Sequence, residues 1–150
     1  MTPRIVATIG VALVLAGALA GPAVADSCNV IMGTQADDVI QGTDGNDCIY
    51  GLAGNDTVEG GGGNDFIDGG SGDDFLWGQW GDDTIYGGNG DDLVWGGNGD
   101  DVIYAGNGQD TVLGGWHDDL IFGENGDDHL NGTEGDDKVY GGNGDDVVWG

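Results

Sequence analysis

GGNGDDLVWGGNGDDVIY, Gly87–Tyr104, is a nine-residue unit written twice. Each copy has glycine at places one, two and four, aspartate at place six and an aliphatic residue at place eight. On either side the unit repeats without insertion or deletion, giving thirteen copies in the 117 residues from Gly33 to Trp149. Place six is always Asp: Asp38, Asp47, Asp56, Asp65, Asp74, Asp83, Asp92, Asp101, Asp110, Asp119, Asp128, Asp137 and Asp146. Place eight is always Ile, Leu or Val, from Ile40 to Val148. Place one departs from Gly only at Ala105, and place four only at Ala36 and His117. A flexible linker or low-complexity tail holds no such phase. A fixed short period marks a stacked repeat architecture.

The period has a physical meaning. Glycine-rich places one to six predict a turn, because glycine supplies positive φ and close backbone approach. Asp or Asn at place five suits the left-handed region of such a turn. Places seven to nine, as in Leu93-Val94-Trp95, predict a short strand with place eight pointing inward and its neighbours outward. Turn, strand, turn and strand close a coil of 18 residues. Stacked coils bring like residues to about 4.8 Å. The expectation is an all-β parallel β-roll of six and a half coils.

The chain has 150 residues, 35 of them Gly, with 28 acidic residues against two basic ones, Arg4 and Lys138. Its net charge of −26 excludes nucleic acid as a partner and selects cations. In a stacked roll Asp38 lies over Asp56 and Asp47 over Asp65. Carboxylates about 5 Å apart repel by roughly 1 kcal/mol in water and several times more in drier surroundings. The ladder therefore needs counter-ions, although screening by monovalent salt is an alternative. The ligands on offer are carboxylate and carbonyl oxygens, which suit Ca²⁺ with its 6–8 oxygen ligands. Zinc wants Cys and His, which are too few, and magnesium prefers water-rich octahedral sites. Pairing each unit with the next on its own side allows up to about eleven inter-coil Ca²⁺ sites.

In this register the units resemble the RTX, or haemolysin-type calcium-binding, nonapeptide GGxGxDxUx over Gly33–Trp149. The resemblance implies a right-handed parallel β-roll whose turns hold Ca²⁺ between coils through the place-six aspartate and turn carbonyls. It also implies folding that depends on the metal. It assigns the metal ligands to the thirteen aspartates named above. Large members of that family carry catalytic or pore-forming domains before the repeats, and many end in an export signal. A roll also commonly has a cap after its last repeat. Here the repeats run to Trp149, and Gly150 stands where a fourteenth unit begins. An open last coil exposes a strand edge. Self-association through it, or a longer RTX enzyme or toxin of which this is a fragment, are thus further expectations.

The N-terminus predicts secretion. Met1–Arg4 carries one positive charge, Ile5–Gly21 is apolar, and Ala23-Val24-Ala25 is a small-x-small cleavage site. Residues 1–25 read as a signal peptide cleaved before Asp26, with an uncleaved anchor as the alternative; no later run could span a bilayer. Residues 26–32 form an N-terminal cap segment, and 33–150 the roll. An extracellular chain permits a disulfide, and Cys48 stacks over Val30, two residues from Cys28.

Place nine is aromatic on both sides. One side carries Tyr50, Tyr86, Tyr104, Phe122 and Tyr140, and the other Trp77, Trp95 and Trp149. These predict stacked ladders, or an adhesive face for glycans or apolar ligands using Trp77, Trp95, Tyr86, Tyr104, Phe122 and Tyr140. Trp80 and Trp116 fall at place three, in the expected turns. His117 and His129 are the only histidines, and neither pairs with a Ser or Cys nucleophile. No HExxH occurs, so no enzyme activity is expected.

Overall fold

The computed structural model describes residues 28–150. The expected leader and its cleavage site lie outside the described residues. Among those described there are fourteen strands and no helix, hence no helix long and apolar enough to cross a membrane. Odd-numbered strands form one seven-stranded sheet and even-numbered strands the other. Every pairing is parallel and joins residues 18 apart: Val94 lies between Leu76 and Val112. The chain is a parallel β-solenoid with one coil per two units.

The core is a single file. Place-eight side chains from Ile40 to Leu130 are buried between the sheets, and Val139 and Ile31 pack partly against them. Each buried aliphatic contributes about 1.5–3 kcal/mol. At the far end the file thins, and Val148 is 43% exposed.

Two local expectations are corrected. The strands are longer than three residues: β6 (Phe75–Trp80), β8 (Leu93–Asn98), β10 (Thr111–Trp116) and β12 (His129–Glu134) run from place seven through place three. Only places four to six remain as the turn. The reason is that place one points inward like place eight. A Cβ on Gly60 would stand 2.7 Å from the Gly78 carbonyl oxygen, so the backbones close in on each other there. The one side chain at place one, Ala105, is fully buried. Place two then takes positive φ inside the strand, even where it is Leu52, Gln79, Glu124 or Thr133 (φ 71–83°). Second, among the described residues no place-five residue has positive φ; places two and four do. Place five serves the coil through its side chain instead. His117, at a glycine place, adopts φ 86°, and its Nδ1 lies 2.7 Å from the Trp116 carbonyl oxygen.

Candidate metal centre

Each turn is tied to its neighbours by two carboxylate ladders running in opposite directions. At place six, the backbone N–H of Asp83 donates to Oδ1 of Asp101 on the following coil at 2.8 Å. The same bond recurs from Asp38–Asp56 to Asp128–Asp146. At place five the side chain accepts from the following coil: the N–H of Asp100 donates to Oδ1 of Asp82 at 3.1 Å. Repeat reading gave the place-six column but missed the place-five one. Its signal was present, since Asp or Asn fills that place in all units but one, Gln109.

The second oxygen of the place-six aspartate decides the chemistry. From Asp56 to Asp137, ten such Oδ2 atoms are buried and have no hydrogen-bond partner. Nine of the ten lie under the place-one glycine of their own unit, Asp110 with Ala105 being the exception: a Cβ on Gly60 would stand 2.6 Å from Asp65 Oδ2. Buried polar atoms are normally satisfied, and an unmet one costs about 1–3 kcal/mol, more for a charge.

The electrostatics agree. Burial pushes the carboxyl of Asp101 up to about 8, those of Asp83 and Asp92 to about 7, and those of Asp65, Asp74, Asp110 and Asp119 to about 6. Asp56 and Asp128 are also raised by burial. The inter-coil N–H bond works against the rise in each case, and neighbouring aspartates add to it. Only Asp119 and Asp128 have a histidine, His117 and His129, close enough to oppose the rise.

The thirteen aspartates are not equivalent. Oδ2 of Asp38 accepts from the N–H and Oγ1 of Thr34 at 2.5 and 2.9 Å. Oδ2 of Asp47 accepts likewise from Thr43 at 2.6 and 2.9 Å. Both threonines stand at place two, where later units mostly have glycine. Asp146, on the last coil, is half-buried. Among the described residues no three Asp, Glu, His or Cys side chains converge as a metal cluster. A metal held here draws on one or two carboxylates and the surrounding backbone carbonyls. That all-oxygen set, with its unpartnered buried oxygens, fits a hard divalent cation and not zinc.

Cys28 and Cys48 are joined, with Cα atoms 5.5 Å apart, where Val30 pairs with Cys48. The aromatic columns stack. Tyr86, Tyr104, Phe122 and Tyr140 lie 4.7–5.1 Å apart with planes within 7–10°, and Trp77 and Trp95 5.1 Å apart within 11°. Phe66, at place seven, bridges from Tyr50 to Tyr86 past Asp68.

Residues 29–58, 59–94, 77–112, 95–130 and 122–150 match the RTX calcium-binding nonapeptide repeat (4 copies). Together these segments span the whole roll. No curated protein matches the chain.

Proposed function

Because this chain belongs to the RTX calcium-binding nonapeptide-repeat family, a calcium-binding repeat rather than a catalytic unit, we propose that it is a secreted protein whose roll orders as Ca²⁺ enters the junctions between coils, and that its role is structural or one of interaction. The observation that carries this reading is the row of ten buried Oδ2 atoms without partners. The secretory reading rests on the leader pattern of residues 1–25.

Asp56 through Asp137, with Asp146 on the last coil closing the row, would hold the metal, together with turn carbonyls. Bound Ca²⁺ supplies there the positive charge that the carboxylates lack. The chain's own residues do the rest. The inter-coil N–H bonds fix Oδ1 and so orient Oδ2. The place-one glycines leave room beside it. The place-eight file holds the two edges at a constant separation. Without counter-charge the acidic chain expands by self-repulsion, so metal binding and folding are one equilibrium.

Asp38 and Asp47 already have partners, so the metal row begins with the unit at Gly51. Pairing each of the eleven units from there with the next on its own edge gives roughly nine junctions, against about eleven for the whole array. Calcium titration of residues 26–150, followed by circular dichroism and metal counting, tests the reading. β signal and compaction with roughly nine ions are expected. An unchanged disordered spectrum at millimolar calcium would falsify it.

A further inference from the structure

The even-numbered sheet carries a feature that calcium binding does not use. Place nine and place three both face outward on this sheet, in parallel columns. Trp77, Trp95 and Leu113 are in register in one, and Trp80, Asn98 and Trp116 in the other. Between them runs place two. At its middle two rungs that place is Gly97 and Gly115, with φ 124° and 133°, where a Cβ would run into the carbonyl oxygen of the preceding rung. At the flanking rungs it is Gln79 and Thr133, whose φ of 79° and 82° is also positive but admits a side chain. The result is a cleft of about 480 Å³, with a glycine floor, two indole-bearing walls and closed ends. That volume falls in the range of small-molecule sites, roughly 300–1,000 Å³.

The other sheet shows that the cleft is not a general property of the roll. It has the same glycine place between columns, but Asn89, Asn107, Asn125 and Asn143 bond one another amide to amide at 2.9–3.0 Å. Tyrosines and Phe122 close the other column. On the tryptophan face Asn98 is flanked by two indoles instead, and Trp80 and Trp116 stand 64% and 53% exposed. Grouped with Trp77 and Trp95 around one cleft, they form a contiguous apolar patch of the kind that marks a binding site.

Charge identifies the occupant. No basic side chain lines the cleft. Two residues beyond the Trp80–Trp116 wall runs an exposed row of carboxylates, Asp82, Asp100 and Asp118. Glu59 holds the amide of Gln79 at one end (3.3 Å), and Glu134 pairs with Trp116 at the other. Anions are repelled from such a site. Indole faces carry the strongest negative quadrupole among side chains and attract cations, most of all when these are weakly hydrated. We propose that this cleft binds an organic cation bearing an alkylated ammonium group, seated over Gly97 and Gly115 between the indole walls.

The test uses the calcium-loaded full roll, with its β signal recorded before any probe is added. A failure to fold then speaks to the calcium reading, and a failure to bind speaks to the cleft. Choline is titrated against tryptophan fluorescence, beside its uncharged isostere 3,3-dimethyl-1-butanol and methyl β-glucoside. Choline is expected to quench and to bind at least tenfold more tightly than the alcohol. Trp95→Ala with Trp116→Ala should weaken choline at least tenfold, while Tyr104→Ala on the other face leaves it unchanged. Equal binding of choline and the alcohol, binding of the glucoside alone, or no quenching by choline would each overturn the proposal. The wild-type comparison stands even if a variant folds poorly.

Discussion

In the first coil, Asp38 and Asp47 each receive two hydrogen bonds on Oδ2 from a threonine four residues earlier. One coil later, Asp56 and Asp65 occupy the same place; their Oδ1 atoms accept from the backbone N–H of Asp38 and Asp47, and their Oδ2 atoms are buried with nothing to accept. In the first two units Thr34 and Thr43, at place two, satisfy the carboxylate within the protein. From Leu52 onward no place-two residue does so; even Thr133 turns its hydroxyl to the Gly115 carbonyl and leaves Asp137 Oδ2 without a partner. The first coil is further tied by Cys28–Cys48, whose cross-link restricts the unfolded chain by about 3 kcal/mol for a loop of this length. A first coil that satisfies its own aspartates precedes an array whose aspartates lack partners.

Removing calcium is the most drastic way to separate the two regions. Chelation should abolish most β circular dichroism and expand the chain. The last amides to lose hydrogen-exchange protection should be those of Asn29–Met32 and Asp47–Tyr50. Uniform loss along the array would show that the first coil is no seed.

Acid should act next most strongly, and its sign depends on the metal. In the metal-free roll, burial raises the folded-state carboxyls of Asp65, Asp74, Asp83, Asp92, Asp101, Asp110 and Asp119 from 3.8 to about 6–8. The folded chain thus holds these protons more tightly than the unfolded chain does. Their stabilising contribution is complete below about pH 3.8 and disappears as pH rises through about 6–8. In chelator, β signal should therefore grow as pH falls from 8 to 4. In limiting calcium the trend should reverse, because protons then compete with the metal. A metal-free chain whose spectrum ignores pH would count against burial of these groups.

Single aspartates give a smaller effect. Asp101→Asn should remove one or two ions from the measured stoichiometry and cost about 1–3 kcal/mol in calcium. Asp38→Asn should leave the ion count unchanged. Equal ion losses from the two variants would erase the distinction between the regions. The smallest effect, on the order of 1 kcal/mol, is expected of Thr43→Gly. It removes the Oγ1 bond to Asp47 Oδ2 and lets place two take the positive φ of the later units, and should raise the ion count by one, read by equilibrium dialysis with elemental analysis.

The period, the place-eight file and the aspartate column were legible in the sequence, because each is a single residue type at a fixed place. Strand length was not. Gly88 and Gly97 read as turn residues, yet their left-handed backbones sit inside paired strands. That pairing is fixed by the close approach of place-one backbones on adjacent coils, which no single unit displays. Place two varies too much to carry a repeat signal, yet there Thr34 and Thr43 complete a local hydrogen-bonding motif. The cleft needed Trp77 and Trp80 to face the same way. That follows only once the strand is known to continue through place three, so tryptophans expected in separate turns and strands are brought onto one surface.

The opposed carboxylate ladders have a last consequence. Every turn grips both the coil before it and the coil after it, and the hydrogen bonds and the Cys28–Cys48 bridge join adjacent coils. A chain built this way need not order all at once. The boundary between folded and expanded segments can rest at any rung and advance by one coil as each junction fills. If calcium fills the junctions as proposed, the length of the ordered rod would read its concentration as a ruler does, in steps, with the first coil as its zero mark.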